Sequence, residues 1–245
     1  MTSISYLLHL ADNVLILGHR NSEWCGHGPI LEQDIAITNI SLDLIGQARN
    51  FYQYAAALSG GEKTEDDYAY LRDAHEFKNL LLVEQPKADW AYTTLRQFLF
   101  SQYQQILFNR LCQQDDQQIA AIANKSLKEI AYHLRWSSEW VIRLGDGTEE
   151  SHRRMEDAIH VIWNYTDEMF IPSDYEKEFP GLEAINEMKV QWLDKVKPVL
   201  AEATLSIPTS SKTMTGGKEG KHSSHLEELL KEMQSVARAH PGAQW

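Results

Sequence analysis

The chain has 245 residues, 43% hydrophobic and 24% charged, a globular balance with enough length to bury a core without disulfide staples. Its 35 acidic and 23 basic residues give a formal net charge of -12, which excludes nucleic acid as the main partner because phosphate recognition needs a basic footprint. Cys25 and Cys112 lie far apart without metal-type spacing and read as reduced thiols of a cytoplasmic protein; no uncharged apolar run reaches the about 18 residues of a membrane span, and the opening MTSISYLLHLADN lacks the basic start of a signal peptide.

Nearly every long segment shows the helical period and none shows sustained strand alternation, so the expected class is all-α. The pattern predicts a first helix from about Ser3 to Ser22, with Leu7, Leu10, Val14 and Leu17 on one stripe. The turn WCGHGP follows. Pro29 suits the first turn of a second helix that runs to about Leu58 through Ile37, Ile40, Leu44 and Phe51, where SGGEK stops it. A crossover over 59–88 is expected to hold one shorter helix, capped by Thr64 with Asp67 and ended by Pro86, with Phe77, Leu80 and Leu81 as its apolar positions. A third long helix starts at the cap residue Asp89 and reaches Leu111. Asp115 with Gln118 caps a fourth, which runs through Ile119, Ala123, Ile130 and Val141 to Leu144 and stops at Gly145. Helices over about Glu149–Phe170 and Leu182–Leu205 follow, the latter broken or restarted near Pro198. The polar, Gly-rich stretch 209–224 reads as a loop or lid, and Ser224 with Glu227 caps a last helix that HPG ends.

A short turn, a long crossover and a second short turn thus join four long helices. This is the connectivity of a ferritin-like four-helix bundle with one long crossover, here with additional C-terminal helices. Neither a repeat nor a linker divides the sequence, so a single domain over 1–245 is expected, its bundle core at about 3–145 and its C-terminal helices at about 148–240.

Ferritin-like bundles hold two irons with one Glu from each of two helices and Glu-x-x-His from each of two others. The segment KEIAYHLRW nearly supplies the second pattern, but Tyr132 stands three residues after Glu129 and His133 comes one place late. Glu129 and His133 can still share a helix face. On the second helix the central acid is Asp43, and Gly46 occupies the histidine place. Opposite Glu129 the third helix offers Phe100, Ser101, Gln102 and Tyr103, with no acid, and the first helix offers Asp12 as its one carboxylate beside His9 and Asn13. Asp12, Asp43, Glu129 and His133 therefore read as degenerate positions of a metal site. With Gln47 they are expected to form a buried hydrogen-bonded network, and neither metal, cofactor nor catalytic residues are expected in this chain. The alternative is a ferritin-like oxygenase or oxidase with a reduced metal site at Glu129 and His133.

Other candidates carry less chemistry. Glu23 and His27 flank WCG at a helix end and suit capping. His222 and His225 lie three apart without a third ligand nearby. TGGKEGK has no P-loop context, though its lysines could touch a cofactor phosphate, which keeps a coenzyme A thioester-binding module in view. Apolar surplus on the first two helices and the aromatic third suggests a protein contact.

Several long stretches, LADNVLILGHRNSEWCGHGPILEQDIAITNISLDLIGQARNFYQYAAAL, FKNLLLVEQP, TGGKEGKHSSHLEELLKEMQ and the final PGAQW, resemble the C subunits of the ring-1,2-phenylacetyl-CoA epoxidases over nearly the full length. The resemblance implies a ferritin-like subunit of a multicomponent monooxygenase of aerobic phenylacetate catabolism. It implies a sister subunit of the same fold that carries the di-iron centre and epoxidises the ring, with a reductase that uses FAD, an iron–sulfur cluster and NADPH. The C subunit is then a non-catalytic structural partner of the di-iron subunit and other subunits, with a homodimer possible when alone. Members of this family keep an acid on the third helix where this chain has Ser101.

Overall fold

The computed structural model describes residues 3–177, 185–209 and 212–243, and among these the chain is all-α with no strand. Chain contacts divide it into two compact units, Met1–Pro86 with Gly216–Trp245, and Lys87–Thr215.

The first unit is built on α1 (Ile4–Ser22) and α2 (Leu31–Leu58). They run antiparallel. Gly18 packs on Ser41, Leu44 and Ile45, while Asp12 lies level with Tyr52. The turn between them closes on an acid: the backbone N–H of Gly28 donates to Asp34 Oδ2 at 2.9 Å, and N–H groups of Gly28, Gly26 and His27 hold the Asp34 carboxyl below its ordinary range. α1 is buried on nearly every side, whereas α2 keeps Leu31, Ile35 and Leu42 in water.

The crossover departs from the single helix expected. It contains α3 (Glu65–Tyr70), a 3-10 turn at Ala74–Glu76 and α4 (Leu81–Glu84). The capping box of Thr64 and Asp67 forms as anticipated. A continuous helix cannot form, because backbone groups of residues 78–80 are bonded to side chains of α1 instead of to their own chain. The C-terminal segment of this unit carries α10 (Ser224–Met233), preceded by the cap position Ser223, and α11 (Ser235–Ala239).

The second unit pairs α5 (Trp90–Leu111) with α6 (Gln117–Gly145). Asp89 caps α5 through the N–H of Tyr92, and Asp116, one residue past the predicted Asp115, caps α6 through Gln118 and Ile119. Trp90 packs edge-on against Trp136 and Trp140, which makes this hairpin antiparallel too. The helix predicted over 149–170 stops earlier, as α7 (Glu149–Ile162), and continues in two 3-10 turns, Trp163–Tyr165 and Asp167–Phe170. After α8 (Asp174–Lys177), α9 (Ile185–Glu202) runs unbroken through Pro198. The buried stripe Met188, Trp192, Val196 and Leu200 anchors both halves, and Pro198 faces water, where its missing N–H costs least. The Trp192 indole donates to the carbonyl of Leu99 at 3.0 Å. The start of that helix at Leu182 lies outside the described residues.

Gly145 does not act as a left-handed stop. A Cβ there would lie 2.3 Å from the carbonyl oxygen of Ala203, so glycine is required by close approach of two backbones. The Gly145 carbonyl accepts from Thr204 Oγ1 at 3.1 Å and from His152 Nδ1 at 2.7 Å, which joins the ends of α6, α7 and α9. Gly145→Ala is therefore expected to lower unfolding stability by about 1–3 kcal/mol, the cost of overpacking, seen as a lower urea midpoint at unchanged m-value.

Candidate functional site

Two buried carboxylates organise the polar interior of the first unit. Asp12 is completely buried in the middle of α1. Its Oδ1 accepts from the Tyr52 hydroxyl at 2.5 Å and its Oδ2 from the backbone N–H of Lys78 at 2.7 Å. Arg72 from the crossover grips both oxygens, Nη1 reaching Oδ2 at 3.1 Å and Nη2 forming a shorter contact with Oδ1. The remaining guanidinium donors are also engaged: Nε donates to the carbonyl of Tyr68 at 2.6 Å and Nη1 to that of Glu76 at 3.0 Å, while the guanidinium lies 4.1 Å over the Phe77 ring. Burial pushes the Tyr52 hydroxyl far above its ordinary pKa, and the Asp12 charge adds to the effect, so Tyr52 is a permanent donor. Arg72 stays charged: burial opposes its charge, but Asp12, Tyr52 and Glu76 together more than offset it.

The neighbours of Asp12 on α1 extend the grip. His9 Nδ1 donates to the carbonyl of Lys78 at 2.7 Å, and Asn13 Oδ1 accepts from the N–H of Leu80 at 2.9 Å. The polar strip of α1 thus holds an extended piece of crossover backbone, with donors and acceptors matched much as a neighbouring strand would match them.

Glu84 is the second buried carboxylate. Its Oε1 accepts from the N–H and the hydroxyl of Ser223, each at 2.8 Å, and its Oε2 lies 2.7 Å from His222 Nδ1 and 3.0 Å from Asn79 Nδ2. His222 Nε2 is 3.0 Å from the carbonyl of Phe77. Both ring nitrogens therefore face atoms that only accept, an arrangement satisfied by the doubly protonated imidazolium. Burial works against that charge, yet the Glu84 carboxylate and the Phe77 carbonyl outweigh it and raise the His222 pKa above its ordinary 6.5. Arg20 completes the clamp, donating to the carbonyl of Glu84 at 3.0 Å, to Glu23 at 2.6 Å and to the carbonyl of His225 at 2.6 Å.

These contacts redraw the sequence-based picture. Asp12 and Asp43 do not stand at one depth: Asp12 is level with Tyr52, nine residues or about 13 Å along α2 from the half-buried Asp43. In the second unit His133 is fully buried on α6 and Glu129 half-buried one turn before it. Among the described residues no three His, Cys, Asp or Glu side chains converge on a point that could hold a metal. Glu23 pairs with Arg20, and His27 lies 3.0 Å from the carbonyl of Cys25. His222 serves Glu84, and the carbonyl of His225 serves Arg20. The 209–224 stretch is not a free lid. Residues 210–211 lie outside the described residues, but Gly217 and Lys218 are buried, and Cβ atoms at Gly217 and Gly220 would strike the carbonyl oxygens of Asn79 and His75. Lys218 is therefore withdrawn from any phosphate on the surface. Sequence reading missed Arg72, Glu84 and Arg20; the visible signal was a lone Glu inside the apolar run NLLLVEQP.

Asp12→Asn leaves a buried guanidinium without its counter-charge and is expected to cost about 3–5 kcal/mol in urea unfolding, whereas replacing both partners by Asp12→Leu with Arg72→Met costs less than the single change. For His222 the raised folded-state pKa means that its stabilising contribution is full below about pH 6.5 and fades as pH rises through the folded value. Amide exchange in α10 should then quicken relative to α1 as pH rises above about 6.5, after correction for intrinsic rates, and His222→Gln should flatten that difference.

The whole chain, residues 1–245, matches the protein family described as "Phenylacetic acid catabolic protein". It is 44% identical over 245 residues, covering 98% of both chains, to the C subunit of the 1,2-phenylacetyl-CoA epoxidase of Escherichia coli (strain K12). Matched from end to end, and similar to that epoxidase component over almost its full length, the chain belongs to the phenylacetic acid catabolic protein family.

Proposed function

We propose that this protein is the non-catalytic structural subunit of a multicomponent phenylacetyl-CoA 1,2-epoxidase in the cytoplasm, and that it braces the di-iron subunit of the same fold. The observation that carries the reading is the full-length similarity to the C subunit of such an epoxidase, joined to the employment of Asp12. The inward carboxylate of α1 is saturated by Tyr52, Arg72 and Lys78, and Gly46 and Ser101 stand where ligands of a di-iron bundle are expected. This donor set does not fit a di-iron centre in this chain. Iron belongs to the sister subunit on this reading, and FAD, the iron–sulfur cluster and NADPH to the reductase. The two free cysteines, Cys25 exposed and Cys112 half-buried, accord with a reducing compartment. The reading also includes one ferritin-like domain over the whole chain and self-association when the chain is alone.

A chain with polar positions locked by internal hydrogen bonds folds without waiting for metal, which suits a brace. Co-expression with the di-iron subunit should yield a complex whose iron equals the content of that subunit alone. Glu129→Gln in this chain should leave turnover within about two-fold, since removal of a charge distant from the reacting atoms falls in the range of a surface substitution. Stoichiometric iron in this chain, lost together with turnover in Glu129→Gln or His133→Gln, is the opposite result and would establish the oxygenase alternative.

A further inference from the structure

Within the first unit a cavity of about 460 Å³ opens between α10–α11 and the 3-10 turn at Ala74–Glu76. Small-molecule sites span about 300–1,000 Å³. Its floor is the buried Gln234, whose side-chain amide donates to the carbonyl of Arg72 at 2.9 Å. Gln234 Oε1 accepts from Arg238 Nε at 2.9 Å, and Arg238 Nη2 donates to Asp73 Oδ1 at 2.8 Å and to the carbonyls of Arg72 at 2.9 Å and Leu71 at 3.2 Å. The guanidinium is thus fixed along one edge, and among the described residues its Nη1 donates to no protein group. Lys231 and His75 line the same cavity, and neither the ammonium nor the imidazole has a hydrogen bond or an ion pair among the described residues. Two acids are present as well. The Asp73 carboxylate is engaged by Arg238, and Glu227 lies in the first turn of α10, where the helix dipole favours negative charge. Three donor groups are left unspent against one carboxylate.

We propose that this cavity binds a phosphate monoester, with Arg238 Nη1, Lys231 and His75 as its donors. The site goes beyond the bracing role and does not depend on it. The donor set selects phosphate over carboxylate. A carboxylate gains most from two parallel nitrogens of one guanidinium, and here Nη2 is already spent on Asp73 and two carbonyls. Donors on three separate side chains suit a group with three acceptor oxygens, and an ammonium meets such a group as a point charge. Arg238 loses little freedom on binding, because its bonds to Gln234, Asp73 and the carbonyls hold it already. Leu230 gives the cavity an apolar side against which the alcohol part of the ester can lie. Glu227 opposes the anion and sets the affinity at about 1 mM, the scale of a few solvent-screened contacts.

Titration of the full-length chain with phenyl phosphate at constant ionic strength, followed through the ring resonances of His75, tests the site. A saturable shift is expected. Lys231→Gln should raise Kd about five-fold and Glu227→Gln should lower it about two-fold, the range for exposed charges. Opposite signs at two neighbouring positions on α10 are a pattern that loosening of the helix does not give. Both side chains are exposed, so the variants should keep the circular dichroism of the wild type. Benzoate at the same ionic strength should bind more weakly than phenyl phosphate. Coenzyme A and dephospho-coenzyme A identify the source of the ester. Binding of coenzyme A that is lost without the 3′-phosphate supports the site and assigns it to a nucleotide-borne phosphate. Binding of phenyl phosphate without binding of coenzyme A supports it and assigns a free phosphate ester. The absence of a saturable shift, benzoate binding as tight as that of phenyl phosphate, or a Kd indifferent to both Lys231→Gln and Glu227→Gln overturns the proposal.

Discussion

The first unit depends on one ion pair. Asp12 sits completely buried at the centre of α1, where an isolated carboxylate is prohibitively expensive, and Arg72 reaches it from a crossover segment 60 residues away in sequence. Once that pair forms, its neighbours are determined. Tyr52 fills the remaining direction on Oδ1 from α2, Lys78 caps Oδ2 with its N–H, and the rest of the guanidinium ties back to the carbonyls of Tyr68 and Glu76. The route of the crossover follows from where these donors must stand. Its broken helices are the consequence, because residues 78–80 give their backbone groups to His9, Asp12 and Asn13.

Glu84 repeats the same logic for the end of the chain. It is equally buried, but its counter-charge is an imidazolium rather than a guanidinium, and its other oxygen holds the N–H and hydroxyl of Ser223. The two buried acids therefore differ in permanence. Arg72 keeps its proton at any pH the protein meets, so the tie between α1 and the crossover is constant. His222 can lose its proton, so the attachment of α10 carries the pH dependence of the unit. Arg20 adds a tie that does not use the His222 proton, binding the carbonyls of Glu84 and His225.

The long elements were legible because each carries its own signal. The apolar periods of α1, α2, α5 and α6 and the caps at Thr64 and Asp89 are local, and the structure has them within one or two residues. What was not legible is non-local. Nothing near Arg72 in YLRDAHEF points to Asp12, and nothing near Glu84 points to Ser223, because those distances exist only after the chain has folded back. Gly145 shows the same limit. A glycine at a helix end reads as a left-handed stop, and only the approach of Ala203 reveals why a side chain cannot stand there. Pro198 read as a break, but the buried stripe on the opposite side of α9 holds the helix through it. The surplus assigned to three helices belongs to α2, since burial of α1 and α5 is visible only in three dimensions.

The employment of Asp12 also bears on how the first unit meets the charge of an inward carboxylate. An inward carboxylate calls for positive charge nearby, and either a bound cation or a protein cation can meet that need. Arg72 meets it from within the chain. A metal at Asp12 would have to displace the guanidinium, which would remain buried, charged and repelled by the incoming ion. Removing Arg72 alone would not free Asp12 either, because Tyr52 and the Lys78 N–H occupy the other lone pairs and Asp43 stands about 13 Å along α2. The use of a protein cation at Asp12 is thus coupled to the course of the crossover, which delivers both Arg72 and the Lys78 N–H to it.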